Sequence, residues 1–286
     1  MFVYPQPNAT HLAEDVYSEK SGYQGHKKGD LSAVRENSHY KKILFYIEKQ
    51  FPREVRVSSL PAPRLRQAGA FVPRLLDVGC SSGEFLYAAK KRGFDCYGVE
   101  LNHLTAKIAQ ANGLNVKEGT LEEAHYADNF FNVIFLGDII EHIKDPHALI
   151  VECRRILRDG GTLVVSTPNL DSFWAKATFK LYKWFKFPWS VLTPPHHLFQ
   201  FNEHNLKRFL KDNKFTPTTV WFRRPPALMY ELGSLHLWGK WKRGKMFKNF
   251  LFMFFSFMLY TMLYFFDVFI TPLKTRDFGM IAVFKK

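Results

Sequence analysis

The sequence predicts an α/β protein built on a doubly wound, mostly parallel sheet, and three observations predict it. From residue 74 onward, short runs rich in Val, Leu and Ile alternate with helical patterns, as strands buried on both faces by crossover helices require. One such run enters a glycine turn, Asp77-Val78-Gly79-Cys80-Ser81-Ser82-Gly83, and a helical pattern follows it. The next run, Asp95-Cys96-Tyr97-Gly98-Val99-Glu100, ends on a carboxylate 17 residues beyond Gly83. That is close to the offset of roughly 20 at which an acid meets ribose hydroxyls in nucleotide-binding βαβ units.

The elements follow in order. Residues 1–36 are polar with scattered tyrosines and read as an irregular arm with a short helix near Ala9 to Ser18. A helix over Asn37 to Gln50 carries Ile43, Leu44, Tyr46 and Ile47 on one side. Pro61-Ala62-Pro63 and Gly69 mark a loop before the first strand. Strands are expected at 74–79, 95–100, 114–118, 131–137 and 161–167, with helices near 83–92, 102–112 and 146–158. A helix at Glu203 to Asp212 then leads into a strand at Thr218 to Arg223, and Phe278 to Phe284 reads as the last strand. The chain shows no internal repeat.

Charge is unevenly spread. Residues 1–170 carry a net +1, whereas residues 171–286 hold 19 Lys and Arg against 6 Asp and Glu, a net +13. Such asymmetry points to an acidic partner surface, nucleic acid or anionic lipid, or else to a generally basic proteome. Cys80, Cys96 and Cys153 have no paired spacing, so neither a disulfide framework nor a zinc site is indicated, and a reducing, cytoplasmic compartment fits. Met1 to Asp15 lacks a basic stretch followed by an apolar one, so a secretory signal is not expected there.

The turn supplies the first chemistry. Gly79 and Gly83 let backbone approach a ligand where a Cβ would obstruct it, and the helix opening at Gly83 aims unpaired N–H groups at the same place. The turn resembles the D-x-G-C-G-x-G motif of class I S-adenosylmethionine-dependent methyltransferases, with Ser81 in place of the middle glycine. The resemblance continues through Phe131 to His142, similar to the family's fourth strand and its E-H pair. It extends through Leu157 to Asn169, similar to its fifth, so that roughly residues 74–170 are covered in order.

The resemblance implies a Rossmann-like sheet with an antiparallel last strand, and S-adenosyl-L-methionine as cofactor. It implies that Asp77 orients the turn or the cofactor's amino-acid end, that Glu100 holds both ribose hydroxyls, and that Asp138 sits beside the methionine end. Thr120 and Leu121 fall where the family contacts adenine; Cys80 and Leu101, adjoining the turn and Glu100, complete the cofactor set. An acid at a strand end can equally cap a neighbouring helix. Methyl transfer to a hydroxyl also needs a base, and histidine suits neutral pH. His142 follows Glu141 in the E-H pair. Pro194-Pro195-His196-His197-Leu198-Phe199-Gln200-Phe201 resembles the H-H-x-x-x-F signature of a branch that modifies quinone precursors, lipids and surface polysaccharides. His142, His197 and Glu141 are therefore the catalytic candidates, against a structural role for each histidine. No established metal-ligand spacing joins His196, His197 and Glu141, and no metal is expected.

One segment exceeds what this fold needs. Phe250 to Phe266 is apolar apart from Ser256 and Thr261, and after Asp267 the character resumes to Ile270. Basic residues flank it, Lys240 to Lys248 upstream and Lys274 and Arg276 downstream, with Trp238, Trp241, Tyr260 and Tyr264 suited to an interface. Three readings stand: an in-plane membrane helix, a buried helix or dimer contact, and a true span. Ser172 to Phe187 is a second amphipathic stretch, with Trp174, Ala177, Leu181, Trp184 and Phe185 near helical spacing and Lys176, Lys180 and Lys183 on another face.

The domain organisation expected is an N-terminal arm (1–70), a cofactor-binding core (71–170), an acceptor-side cap (171–224), a basic, apolar insertion (225–276) and a last strand (277–286). The expected function is methylation, at oxygen, of a lipid-linked or amphipathic acceptor on an anionic membrane surface, by a peripheral or monotopic protein. A methyltransferase for a soluble sugar or small molecule is one rival, and a non-catalytic membrane scaffold is another. Nucleic acid fits less well, because the apolar segment has no place on it.

Overall fold

The computed structural model describes residue 31 and residues 38–51, 71–185, 197–223, 246–270 and 278–286. They form helices α1 (Ser38–Glu48), α2 (Glu84–Lys91), α3 (His103–Ala111), α4 (Pro146–Ile156), α5 (Phe173–Phe185), α6 (Glu203–Asp212) and α7 (Met246–Ile270). The strands are β1 (Arg74–Val78), β2 (Asp95–Glu100), β3 (Asn115–Glu118), β4 (Phe131–Gly137), β5 (Leu157–Pro168), β6 (Thr216–Arg223) and β7 (Gly279–Lys285). The short helix expected near Ala9 to Ser18 and the Trp238 and Trp241 flank lie outside the described residues.

The strands make one sheet in the order β3-β2-β1-β4-β5-β7-β6. All pairings are parallel except those of β7, which runs antiparallel between β5 and β6. Both faces are covered. Adjacent residues Leu75 and Leu76, Val133 and Ile134, and Val164 and Val165 enter opposite core clusters, the period-two alternation that lets short apolar runs serve two layers. At least three helices start on side-chain caps that the sequence supplies locally. Asn102 accepts from Thr105 N–H, Asp145 from Ala148 N–H ahead of Pro146, and Asn202 and Asn205 cap reciprocally.

Two boundaries differ from expectation. β5 begins at Leu157 rather than 161 because Leu157 already pairs with Phe131 before a register shift. β6 begins at Thr216 and tolerates Pro217 because it is an edge strand with an irregularity between Pro217 and Thr219.

Three placements matter for the site. Strand order reverses between β1 and β4, opening the crevice where ligands bind in such sheets. Gly279 at the start of β7 pairs with both Pro168 and Arg223, the last residues of β5 and β6. The insertion between β6 and β7 therefore leaves from and returns to the same carboxyl edge. Its helix α7 packs on α5 through Trp174, Tyr260, Leu263 and Tyr264, with Phe278 at the base.

Candidate cofactor and acceptor site

The glycine turn is held by the end of β2. Gly79 and Cys80 N–H donate to the Val99 carbonyl at 2.8 and 3.2 Å, and Ser81 N–H donates to Glu100 Oε2 at 2.8 Å. Positive φ angles at Gly79 (72°), Ser81 (49°) and Gly83 (88°) turn the chain within five residues. The glycines have a second reason to be there. A Cβ on Gly79 would overlap the Ile139 side chain, and one on Gly83 would overlap Leu114. Ser81 carries the left-handed conformation without glycine's freedom, at a cost of about 1 kcal/mol.

Glu100 is buried, and its other oxygen accepts from Asn102 N–H at 2.8 Å. Thr105 and the Leu101 backbone also hydrogen-bond to this carboxylate, so much of its acceptor capacity is already engaged within the chain. Asp77 is also buried, and burial together with Glu100 holds its carboxyl well above the usual range. Burial likewise raises Glu100, against the hydrogen bonds from Asn102 and Ser81. Two acids facing each other in this way suit a ligand that brings a cationic amine and hydroxyl donors.

The sequence reading missed the side chains that enclose this end. Tyr40, on α1, packs its ring edge-on against Phe85 at 5.3 Å, and burial, then Asp77, Glu84 and Asp138, push its phenol up. His39 is lowered to about 4 by burial and by Arg223, so its imidazole is neutral at physiological pH. Asp138 adopts a left-handed φ of 53°, donates its N–H to Ser166 O at 2.9 Å, and accepts from Ser166 Oγ at 3.1 Å and Arg223 Nη2 at 2.5 Å. No local pattern marks Tyr40, His39 or Arg223, since each reaches the site only through packing between distant elements.

The cofactor candidates do not all face the crevice. Asp77, Gly79, Gly83, Glu100 and Asp138 gather at the carboxyl edge, and Leu101 beyond β2 is 45% exposed, an apolar surface suited to a base. Cys80 points inward, with its thiol raised by burial and then by Asp77, so that only its backbone serves the turn. Leu121 is buried in the core with Val78 and Val99. Thr120 is exposed and engaged in a reciprocal cap with Glu123, at 2.8 and 3.3 Å.

The catalytic candidates come together across 55 residues of sequence, from Glu141 and His142 to His197. Leu198 and Phe199 N–H both donate to the Glu141 carbonyl, at 2.8 and 3.1 Å, which seats His197 beside His142 with ring centroids 4.7 Å apart. Glu141 Oε2 accepts from Thr167 Oγ1 at 2.9 Å, and Oε1 is buried without a partner. Burial, then the charge of Asp138, raises the Glu141 carboxyl to about 7, against His197, which lowers it. A small cavity lined by Glu141, Thr167, His197, Phe199 and Gln200 opens beside it. Ligand-type atoms of Glu141, His142 and His197 lie within 4.8 Å of one another. His196 lies outside the described residues.

A family profile described as a methyltransferase domain matches residues 41–220, which span the turn, Glu100, Glu141 and His197. The chain belongs to the methyltransferase domain family. The paired acids Asp77 and Glu100, the turn and the exposed Leu101 suit the amino, hydroxyl and adenine groups of S-adenosylmethionine. The ubiquinone biosynthesis O-methyltransferase of Cereibacter sphaeroides is 33% identical over 102 residues, 34% of this chain and 41% of that one. The protein of the same name from Hahella chejuensis is 30% identical over 103 residues, 34% and 43% respectively. The methyltransferase thus spans less than half the length of these curated relatives.

In fold it is similar to a SAM-dependent methyltransferase from Archaeoglobus fulgidus, with a TM-score of 0.50 and 19% identity over 86% of this chain and 99% of that one. An S-adenosylmethionine-dependent methyltransferase from Mesorhizobium loti also gives 0.50, at 13% identity over 90% and 100%.

Proposed function

We propose that this methyltransferase methylates a hydroxyl of an amphipathic or lipid-linked acceptor, such as a quinone precursor or a lipid-carried glycan, at a membrane surface. One observation carries the reading: Glu141 is a buried carboxylate with an unpartnered oxygen beside a cavity, held near neutrality in pKa, between the cofactor strand and His197. Such a group can take a proton at physiological pH. The names of the ubiquinone-biosynthesis relatives support an oxygen acceptor.

Bound S-adenosylmethionine supplies an electrophilic methyl on a sulfonium, which is lost as a neutral thioether. The chain's own residues align the acceptor and remove its proton. Thr167 donates to one Glu141 oxygen and leaves the other without a protein partner. Phe199 and Leu198 are buried and exclude water from it. His197 and His142 adjoin the carboxylate and can pass the proton outward. The proton of the acceptor hydroxyl would end on the Glu141–His197 pair.

The test is turnover of a prenylated catechol by wild type and Glu141→Gln, with S-adenosylmethionine affinity measured alongside. Loss of base catalysis should lower kcat by about 10²- to 10⁴-fold with cofactor affinity unchanged. Full activity in Glu141→Gln would remove it from the base role.

A further inference from the structure

The strongest unassigned feature is the outer face of α7. Its 25 residues contain a stripe, Phe255, Met258, Met262, Phe265 and Phe269, spaced by three and four and at least half exposed at every position. The opposite stripe, Tyr260, Leu263 and Tyr264, is taken up by α5. A row of five large apolar side chains standing in water is far more than scattered surface residues need, and marks a surface that meets a partner.

We infer that this face is a lipid-docking surface, with α7 lying in the plane of one leaflet of an anionic phospholipid bilayer. The inference rests on reading the carboxyl edge as the acceptor side, and names the partner of that edge. Three observations select lipid. First, Arg223 pairs with Gly279, so both ends of the insertion return to one edge of one sheet, and a single crossing would tear that pairing apart. Among the described residues no helix is long and apolar enough to cross a membrane.

Second, the charge is complementary. Lys176, Lys180 and Lys183 are exposed on α5, and residues 240–248 and 274–276 add seven more Lys and Arg, whereas acids are sparse throughout residues 171–286. Basic residues near an anionic surface are attracted to it. Third, a second copy is a poor occupant, because apposing two faces of like charge is repulsive.

The structure also corrects which residues would meet lipid. Trp174 and Tyr260 form the interior contact between α5 and α7, with ring centroids 5.7 Å apart. Trp184 and Phe179 on α5 are the exposed ones.

The experiment is co-sedimentation of the full chain with vesicles of phosphatidylcholine, with and without phosphatidylglycerol, for wild type and for the variant carrying Met258→Ser, Met262→Ser and Phe265→Ser. These positions are exposed, so thermal melting and S-adenosylmethionine affinity should match wild type. The expected result is binding to phosphatidylglycerol vesicles that falls with salt and weakens at least tenfold in the variant. Equal binding by the variant, or no binding by wild type, overturns the inference. So does a lipid-free dimer in light scattering that the variant converts to monomer, which would assign the face to a second copy. Cofactor affinity, read in the same samples, reports on the methyltransferase site separately.

Discussion

Glu100 illustrates how one side chain can be structural and functional together. Its two oxygens hold Ser81 and Asn102 N–H, fixing the glycine turn and the start of α3, and it lies at the carboxyl edge expected to bind the cofactor. Glu100→Ala should weaken S-adenosylmethionine binding by about 1 to 3 kcal/mol, measured by calorimetry. Unchanged affinity would leave Glu100 with its turn-holding role alone. Glu141 makes a different prediction, in stability. Its folded pKa of about 7 lies above the ordinary 4.5, so the folded state favours the protonated form. The stability this contributes is present in full below about 4.5 and is lost as pH rises through about 7. Glu141→Gln cannot ionise. Its melting temperature should therefore gain on wild type as pH rises through that window, by the equivalent of roughly 1 to 3 kcal/mol, while activity is lost. A constant difference across pH would mean that Glu141 does not titrate in the fold.

At the scale of elements, the site is made where strands end. The turn after β1 is shaped by its own glycines, yet Ile139 after β4 and Leu114 before β3 fill the space those glycines leave. Gly83→Ala should therefore cost about 2 to 4 kcal/mol in urea unfolding, through a left-handed φ of 88° and overlap with Leu114. A cost below about 1 kcal/mol would show that Leu114 moves aside. The segment His197–Phe201 joins the site in the same cooperative way, by two backbone hydrogen bonds to the Glu141 carbonyl and a bridge between Asn169 and Phe201. α1 closes the opposite side, and its Tyr40 and His39 are the contribution of an element otherwise read only for its apolar face.

For the whole molecule, the same carboxyl edge carries the cofactor crevice, the Glu141 cavity, α5 and the insertion bearing α7. Replacing residues 225–277 by a short turn between Arg223 and Gly279, which already pair, should leave the sheet folded and S-adenosylmethionine bound. Trp174, now 1% exposed against Tyr260, would lose its cover, so its fluorescence should shift to the red. Loss of cofactor binding in this deletion would show that the insertion is part of the crevice as well as its neighbour.

The order of strands and helices from 74 to 168, the glycine turn and the acid ending β2 were legible in the sequence, because each depends on local rules: period-two burial, glycine's access to positive φ, side-chain caps; the E-H pair was legible only through the family resemblance. The apolar helix before the last strand was legible by the same local rules. Which face of it stays bare was not, nor was the inward turn of Cys80 and Leu121, nor the reach of Tyr40 and Arg223. Those depend on which distant surfaces meet. Trp174 and Trp184 look alike in an amphipathic pattern, and only the crossing of α5 with α7 decides that one is core and the other surface. Sequence by itself determined the fold class, and its resemblance to S-adenosylmethionine-dependent methyltransferases pointed to the residues expected at the cofactor site. Tertiary structure decided how Glu141 is buried, bonded and shifted in pKa, because desolvation and the charges of Asp138 and His197 act through space and leave no trace in local order.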